Sequence, residues 1–467
     1  MKSLKNPSEN ILDQCFSIWR KYNTKFVLAL LLAIFSAFAI FIALNLNTGY
    51  IPDETYRFEV ATYFADTWGI PEYIPIAYTS GDNLHRNPFL GYWLYGRALS
   101  LFQLFIPGAS EWQNLVSLRI FNWLFALGTV LFTYGISKEL IKNKWWQLLP
   151  VFLLTNTLMF VFLSGGVNYD NPTNLACTAS LYFLVRLFNK KDFLSNSLGW
   201  LICISFASLI KYSVLPLVLA LSVAWVVYIF KNRDQINLIH LKTDKSIVLI
   251  TILAILIGFN FSIYGINLIK FQSLTPTCVD TFSHEVCSES FFGRRHLEMA
   301  LPEKLTLIDA FRQGYPDPIR YVFDVWIREM LNRIFGIMGE QVYFPIIIAY
   351  YHIALYWIVL LGFRYIKKPS FKIASLFGIF IFYALVLLNM NYNSELVYGF
   401  YKFVALQGRY IFPVISIAFV IYAYILTKVT NKAVRLITLF ATVLLFLYGG
   451  PIRFIWYFNS VFSDWFI

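Results

Sequence analysis

Long apolar runs constrain this chain more than any other feature of its sequence. Many of them extend over about 20 residues, the length that a helix needs to cross the hydrocarbon core of a bilayer. Hydrophobic residues make up 58% of the 467 residues and charged residues only 14%, whereas soluble domains carry roughly 25% charged residues. The sequence therefore predicts an all-α polytopic membrane protein.

The apolar pattern predicts about 11 transmembrane helices in a single membrane domain, residues 1–467. Their predicted positions are 26–46, 112–136, 145–165, 172–189, 195–212, 213–230, 246–268, 341–363, 372–390, 403–427 and 433–450. The first run lacks a small-residue cleavage site and follows about 25 residues of other sequence, so we expect a retained span and not a signal peptide.

The formal net charge of +12 is distributed in a way that indicates membrane topology. With the N-terminus inside, more than half of the 38 Lys and Arg residues fall in short cytoplasmic segments, and most of the 26 acidic residues fall outside. This is the positive-inside pattern. In a bacterium we expect an inner-membrane protein with a cytoplasmic N-terminus, its functional face toward the periplasm, and no nucleic-acid partner.

Two long segments then lie on the outer side, 47–111 and 269–340, and both are expected to carry interfacial helices. The stretch "DETYRFEVATYFADTWG" has apolar and aromatic residues at helical spacing before a stop at Gly69 and Pro71. The stretch "NPFLGYWLYGRALSLFQLFIPG" is apolar, but a crossing there would invert the charge pattern, so its aromatic composition favours the interface. The end of the second segment predicts an amphipathic helix on the outer surface.

The first candidate site is the carboxylate pair Asp53 and Glu54, where the chain leaves the first predicted span. Helix capping alone explains such acids, because both are favoured at a helix N-terminus. Aromatic neighbours and Arg57 one turn later indicate a site from which water is partly excluded, where a carboxylate can act as a general base. We expect a catalytic role, principally for Asp53.

A second acid, Asp170, lies in "SGGVNYDNP" between the third and fourth predicted spans. Asn171 and Pro172 are accounted for as an ordinary helix start. Asp170 is an additional charge at the outer mouth of the bundle, where ionisable groups are costly and tend to be functional. We expect Asp170 to assist a base, orient an acceptor or bind a metal.

Two basic residues occur at the outer ends of predicted spans. Lys211 in "ASLIKYSVLP" either extends to the interface or holds a phosphate as a point charge. Arg409 in "ALQGRYIFP", next to Tyr410, needs an anionic partner at that depth. That partner is either a donor phosphate or the region of Asp53 and Asp170.

Weaker candidates lie elsewhere on the outer side. Those expected to position a sugar or an acceptor are Arg57, His85, Arg86, Asn168 and Glu340. His284, Glu285 and His296 lack the tight spacing of metal ligands, so we expect solvated loop residues there. Cys278 and Cys287 are expected to form a disulfide in an oxidising compartment, the alternative being two free thiols.

Taken together, these motifs resemble the GT-C superfamily of glycosyltransferases, which includes the protein O-mannosyltransferases and the lipid A aminoarabinose transferases. The resemblance rests on a carboxylate pair after the first span, "HRNPFLGYW", an acid after the third span and a lysine in "LIKY". The stretches "IPDETYRFEVA", "GVNYDNPTNL", "FGIMGEQVYFP" and "LQGRYIFP" are similar, in this order, to a bacterial family of GT-C-like membrane proteins.

The resemblance implies a GT-C fold, a polyprenyl-phosphate-linked sugar donor, a glycan or glycolipid acceptor on the outer face, and inversion at the anomeric carbon. Carried over by position, Asp53 matches the family's catalytic carboxylate, and Asp170 matches its second carboxylate. Lys211 and Arg409, with Tyr410, are the donor-phosphate binders. Two acids also permit a divalent cation such as Mg²⁺ or Mn²⁺.

Two other functional classes remain open. A flippase or transporter of lipid-linked sugars is expected to carry charged or broken helices near the bilayer midplane, whereas the centres of these spans are apolar. An O-antigen ligase or polymerase is expected to depend on outer-loop arginines and a histidine, for which Arg294, Arg295 and His296 are candidates.

Overall fold

The structure is a computed structural model. It describes residues 7–233, 244–290, 293–294, 297, 308–309, 312, 318–338, 342–343, 345–397, 406–450 and 465–466. In the first half the helices are α1 (Pro7–Asn45), α2 (Glu54–Asp66), α3 (Pro75–Ser80), α4 (Leu90–Phe105), α5 (Glu111–Leu140), α6 (Leu149–Thr155), α7 (Leu158–Ser164), α8 (Asp170–Phe188), α9 (Phe193–Ile210) and α10 (Leu215–Asn232).

The second half is also helical in the described ranges. Its helices are α11 (Asp244–Asn260), α12 (Ile266–Phe271), α13 (Cys278–Thr281), α14 (His284–Glu289), α15 (Pro318–Arg320), α16 (Arg328–Phe335), α17 (Ile347–Leu361), α18 (Phe371–Val397), α19 (Phe412–Lys428) and α20 (Lys432–Gly449). Short 3₁₀ turns lie at Trp146–Leu148, Tyr212–Val214, Gly362–Tyr365 and Gly408–Ile411, and π turns at Phe261–Gly265 and Tyr321–Ile327. One two-residue antiparallel ladder joins β1 (Ile337–Met338) to β2 (Val342–Tyr343). The predicted all-α class is confirmed.

Nine helical segments within the described ranges are long and apolar enough to span a bilayer, which supports a multi-pass membrane protein. The predicted span 145–165 differs, because α6 and α7 are bent by 66° where they meet. Asn156 and Thr157 lie in the bend and donate side-chain hydrogen bonds to the carbonyls of Phe152 and Leu153. Such bonds compete with regular helix, so this run is broken.

The predicted span 172–189 also differs, since α8 is not among the nine apolar segments. Other helices surround α8, chiefly α5, α9 and α19, and nearly all of its side chains are buried. A helix enclosed by protein needs no lipid-facing apolar surface, so α8 carries polar groups such as Thr178, which bonds Ser416 of α19 at 3.2 Å. The central helix of the bundle is therefore more polar than those around it.

In the first outer segment, α2 and α4 form where the sequence predicts them and pack closely on each other. A Cβ atom on Gly96 of α4 would lie 2.6 Å from the backbone carbon of Phe64, so only glycine permits this approach. Arg97 of α4 donates to the carbonyls of Ala65 and Thr67 at the end of α2, at 2.9 and 2.7 Å. The segment is thus a packed cap.

The second outer segment packs against the first through its disulfide-bonded turn. Cys278 and Cys287 are joined, with 5.9 Å between their Cα atoms. Gly81, at φ +76°, lies against this turn, where a Cβ would meet the Ser290 hydroxyl at 2.4 Å. Later in the segment, residues 318–335 form the helical stretch that was predicted as amphipathic. The two outer segments therefore support each other.

Candidate active site

Asp53 directly precedes α2 and has a left-handed backbone, with φ 60° and ψ 15°. Its side chain makes no capping hydrogen bond to α2. Instead, Oδ2 accepts hydrogen bonds from Nη2 of Arg57 at 2.8 Å and from Nη2 of Arg409 at 2.9 Å. Capping therefore does not account for Asp53, and its carboxylate turns toward two arginines.

The two arginines determine the acidity of Asp53. Burial of part of this carboxyl group raises its pKa, but the charges and hydrogen bonds of Arg57 and Arg409 outweigh burial and hold the pKa well below its usual range. The Asp53 side chain still keeps 42% of its surface exposed, whereas the Asp170 side chain keeps 4%. Asp53 is thus the ionised and accessible carboxylate of the site.

Asp170 begins α8 and is buried between two cations. Lys211, which follows α9, places Nζ 2.5 Å from Oδ1 of Asp170. Nε of Arg409 lies 3.7 Å from Oδ2 of the same carboxylate. Arg409 therefore contacts both predicted acids, and Asp170 contacts both predicted phosphate binders.

We call Asp53, Arg57, Asp170, Lys211 and Arg409 the charge cluster. Its two carboxylates face three cations, which leaves one excess positive charge. Several buried nitrogens of these arginines, Nε and Nη1 of both, have no hydrogen-bond acceptor among the described residues. Buried polar groups are normally hydrogen-bonded, so the charge cluster is suited to an anionic ligand.

Aromatic rings enclose the cations. The guanidinium carbon of Arg57 lies 3.5 Å from the ring centre of Tyr169, and Nζ of Lys211 lies 4.7 Å from that of Tyr410. Stacking of this kind is attractive and keeps the cations in place without neutralising them. The rings also exclude water, which strengthens any ion pair formed inside.

Glu54 does not fit the catalytic role expected for it. Its side chain is buried, and both carboxylate oxygens are bound by Arg119 of α5, at 2.9 and 2.6 Å. Oε1 also accepts the backbone N–H of Val167 at 2.8 Å. A carboxylate held in this way contacts the scaffold, so of the adjacent pair only Asp53 faces the site.

Three predicted substrate-binding residues lie elsewhere. Asn168 is fully buried and donates to the carbonyl of Leu163 at 2.6 Å. This contact is structural, so the substrate-binding role expected for Asn168 is corrected. His85 is exposed and Arg86 is half-buried. Among the described residues, neither side chain forms an ion pair with the charge cluster. Glu340 lies outside the described residues, as do Arg295 and His296.

Arg119 and Tyr169 are residues at the site that the sequence analysis missed. Arg119 lies inside a predicted apolar span, and a single buried arginine there was the available signal. Tyr169 directly precedes Asp170, and the charge of Asp170 was the only feature of this motif that indicated a site.

A further hydrogen bond joins the Tyr56 hydroxyl to Asp82 at 2.6 Å. Tyr56 packs on Tyr92, and Tyr92 packs on Tyr169, so these rings connect the hydrogen bond to the charge cluster.

The donor set does not fit a divalent cation. Asp53 and Asp170 are already bound by arginine and lysine side chains. Within the described ranges, no group of three or more His, Cys, Asp and Glu side chains converges. We therefore derive no step through a metal ion.

Comparison with known proteins gives one family match. Residues 90–275, less than half of the chain, match the family described as dolichyl-phosphate-mannose-protein mannosyltransferase. The match includes Asp170 and Lys211 but neither Asp53 nor Arg409. No individual curated protein matches the sequence significantly.

Similar solved structures include the oligosaccharyltransferase of Archaeoglobus fulgidus tethered to an acceptor peptide. It has 15% identity and a TM-score of 0.51, and the match covers 96% of this chain and 58% of that one. The same archaeal protein with an inhibitory peptide and a dolichol-phosphate gives 14% identity and a TM-score of 0.48, covering 95% and 59%. ArnT from Cupriavidus metallidurans in the apo state gives 13% identity and a TM-score of 0.45, covering 88% and 61%. The chain thus spans about three fifths of the length of these proteins.

The resemblance to the GT-C superfamily that the motifs predict is confirmed, by the family match and by the fold. The family match covers residues 90–275, and the structural match shows a shared fold.

Proposed function

We propose that this protein transfers a sugar from a polyprenyl-phosphate-linked donor to a glycan or glycolipid of the cell envelope, with inversion at the anomeric carbon. The observation that carries the proposal is the position of Arg409 between Asp53 and Asp170, next to Lys211. One site then contains an accessible base and the cations that a phosphate leaving group requires.

The donor phosphate binds Lys211 and Arg409 in this proposal. Arg409 has unsatisfied N–H groups and Lys211 adds a point charge, so both can stabilise negative charge as it develops on the phosphate. Asp170 is too buried to reach an acceptor, and its contacts suit it to hold these two cations in place. The lipid tail of the donor lies along the apolar bundle and the surrounding bilayer.

Asp53 acts as the base. Its carboxylate takes the proton of an acceptor hydroxyl or amine while the acceptor atom forms a bond to the anomeric carbon. The bond between that carbon and the phosphate oxygen breaks, and polyprenyl phosphate leaves with the electron pair. A single displacement of this kind inverts the anomeric centre, and the charges of Lys211 and Arg409 make a strong general acid unnecessary.

The face on which this occurs follows from the charge distribution of the sequence. The positive-inside pattern assigns the loops of Asp53, Asp170, Lys211 and Arg409 to one side of the membrane, the side poor in basic residues. We propose that this is the periplasmic face of a bacterial inner membrane. A flippase or an O-antigen ligase finds less support, because the cluster lies at helix ends and is built around carboxylates.

Mass spectrometry of surface glycans and glycolipids tests the proposal. Cells that lack the gene are complemented at equal expression with wild type, Asp53→Asn or Asp66→Asn. Asp66 ends α2 on an exposed surface, so its substitution is the matched control. We expect one sugar mass to return with wild type and with Asp66→Asn but not with Asp53→Asn; its return with Asp53→Asn would contradict the proposed base.

A further inference from the structure

We infer that Arg119 and Glu54 form a positioning pair that holds Asp53 and Asp170 at the separation the transfer requires, an inference that rests on the proposed function. The pair is fully buried, so it contacts neither the donor nor the acceptor in the proposed function. It joins four parts of the fold, namely the end of α1, the start of α2, α5 and the turn before α8.

All five N–H groups of Arg119 have partners. Nε and one Nη2 hydrogen bind the two oxygens of Glu54, at 2.9 and 2.6 Å. The remaining bonds go to carbonyls at the end of the first span, those of Leu46 at 2.5 Å, Ala43 at 3.3 Å and Asn47 at 3.3 Å. A guanidinium offers five donors, so the side chain is saturated and its position is determined by several elements at once.

Glu54 extends these links to the second acid. Oε1 accepts the N–H of Val167, three residues before Asp170, at 2.8 Å. On its other side, Glu54 is the first residue of α2 and Asp53 immediately precedes it. The buried carboxylate of Glu54 therefore fixes the position of both segments that carry the acids of the charge cluster, the start of α2 and the turn before α8.

A purely stabilising role does not explain this arrangement. Replacing a buried ion pair by an apolar pair of similar volume is often neutral or stabilising. An apolar pair fills the space but cannot bind the N–H of Val167 or the carbonyls of α1. Small displacements matter in a catalytic site, since a shift of about 1 Å can cost about a hundredfold in rate.

The test is the double variant Glu54→Met/Arg119→Met in the full-length protein, reconstituted in lipid nanodiscs. Three quantities are measured, the unfolding temperature, the affinity for polyprenyl phosphate, and the glycan product formed in complemented cells. We expect a lower unfolding temperature, because the N–H of Val167 and the carbonyls of α1 lose their buried partners. We expect an affinity within about threefold, because Lys211 and Arg409 are unchanged. Product falls at least about tenfold, because Asp53 and Asp170 lose their common anchor.

Arg97→Met is the matched control. Arg97 also binds carbonyls at an end of α2, but at the end remote from Asp53. We expect it to lower the unfolding temperature while product stays within about threefold. Arg119→Lys is the second variant, since it keeps the buried charge but offers three donors on a flexible stem; we expect a loss of product in it as well.

A double variant that forms product within threefold of wild type overturns the positioning role. The positioning role is also overturned if the amount of product follows the unfolding temperature across these variants, because the loss of product then reflects stability alone. Failure of the proposed function looks different, because Asp53→Asn then retains product and wild type shows no affinity for polyprenyl phosphate.

Discussion

Nη2 of Arg409 lies 2.9 Å from Oδ2 of Asp53, although the two residues are 356 positions apart in the chain. The proposed base and a proposed phosphate-binding cation are therefore partners of each other before any substrate is present. A donor phosphate that draws Arg409 away leaves Asp53 with Arg57 alone, which raises the pKa of Asp53 and makes it a better base. In the proposed function, donor binding and base activation are coupled through this one contact.

Asp53→Asn is expected to separate binding from transfer. Transfer falls about a hundredfold or more, because general base catalysis contributes factors of this size. The affinity for polyprenyl phosphate stays the same or increases, because Asn competes less strongly for Arg409. Titration of the variant in nanodiscs with polyprenyl phosphate measures the affinity, and weaker binding than in wild type contradicts the coupling.

Arg409→Lys is expected to bind polyprenyl phosphate at least about tenfold more weakly. Lysine keeps the charge but cannot contact two carboxylates and a phosphate with a planar fork, and a charge-assisted hydrogen bond contributes about 1.5–3 kcal/mol. The same titration measures the loss. Lys191→Gln is the control, since Lys191 pairs with Glu139 on the predicted cytoplasmic side; an equal loss there points to a general effect of removing charge.

The stability contributed by Asp53 is expected to be constant at ordinary pH. Its pKa is lowered on folding, so the unfolded chain binds more protons at acid pH and the contribution disappears as pH falls through the folded-state pKa. The difference in unfolding temperature between wild type and Asp53→Asn should be flat from about pH 5 to 8 and shrink only below about pH 4, near the unfolded pKa. A difference that shrinks near pH 6 contradicts the ion pairs with Arg57 and Arg409.

The Cys278–Cys287 disulfide is expected to support the first outer segment. Its turn packs against Gly81, and Asp82 follows Gly81 with a carboxylate bound by Tyr56. Cys278→Ser/Cys287→Ser is expected to lower the free energy of unfolding by about 2–4 kcal/mol. Thermal unfolding with and without reductant measures it, and reductant should change wild type but not the double variant.

The sequence predicted the site residues that matter most to the proposal. Asp53, Asp170, Lys211 and Arg409 were selected because each is a charge where an apolar run ends, and the structure brings all four together. Their chemical roles stay predictions. The sequence also predicted nine of the spans and the helices of the first outer segment, because hydropathy and helical spacing are local properties.

Other features required the tertiary structure. Asp53 and Glu54 look alike in sequence, yet one faces the charge cluster and the other binds Arg119 and the backbone of Val167. The polarity of α8 and the burial of Asn168 also depend on neighbours that are remote in the chain. By itself, the sequence determined which segments are apolar enough for the membrane and where charges interrupt them. Only the packing of distant segments decided which charge meets which, because an ion pair depends on distances of a few ångströms that no local pattern encodes.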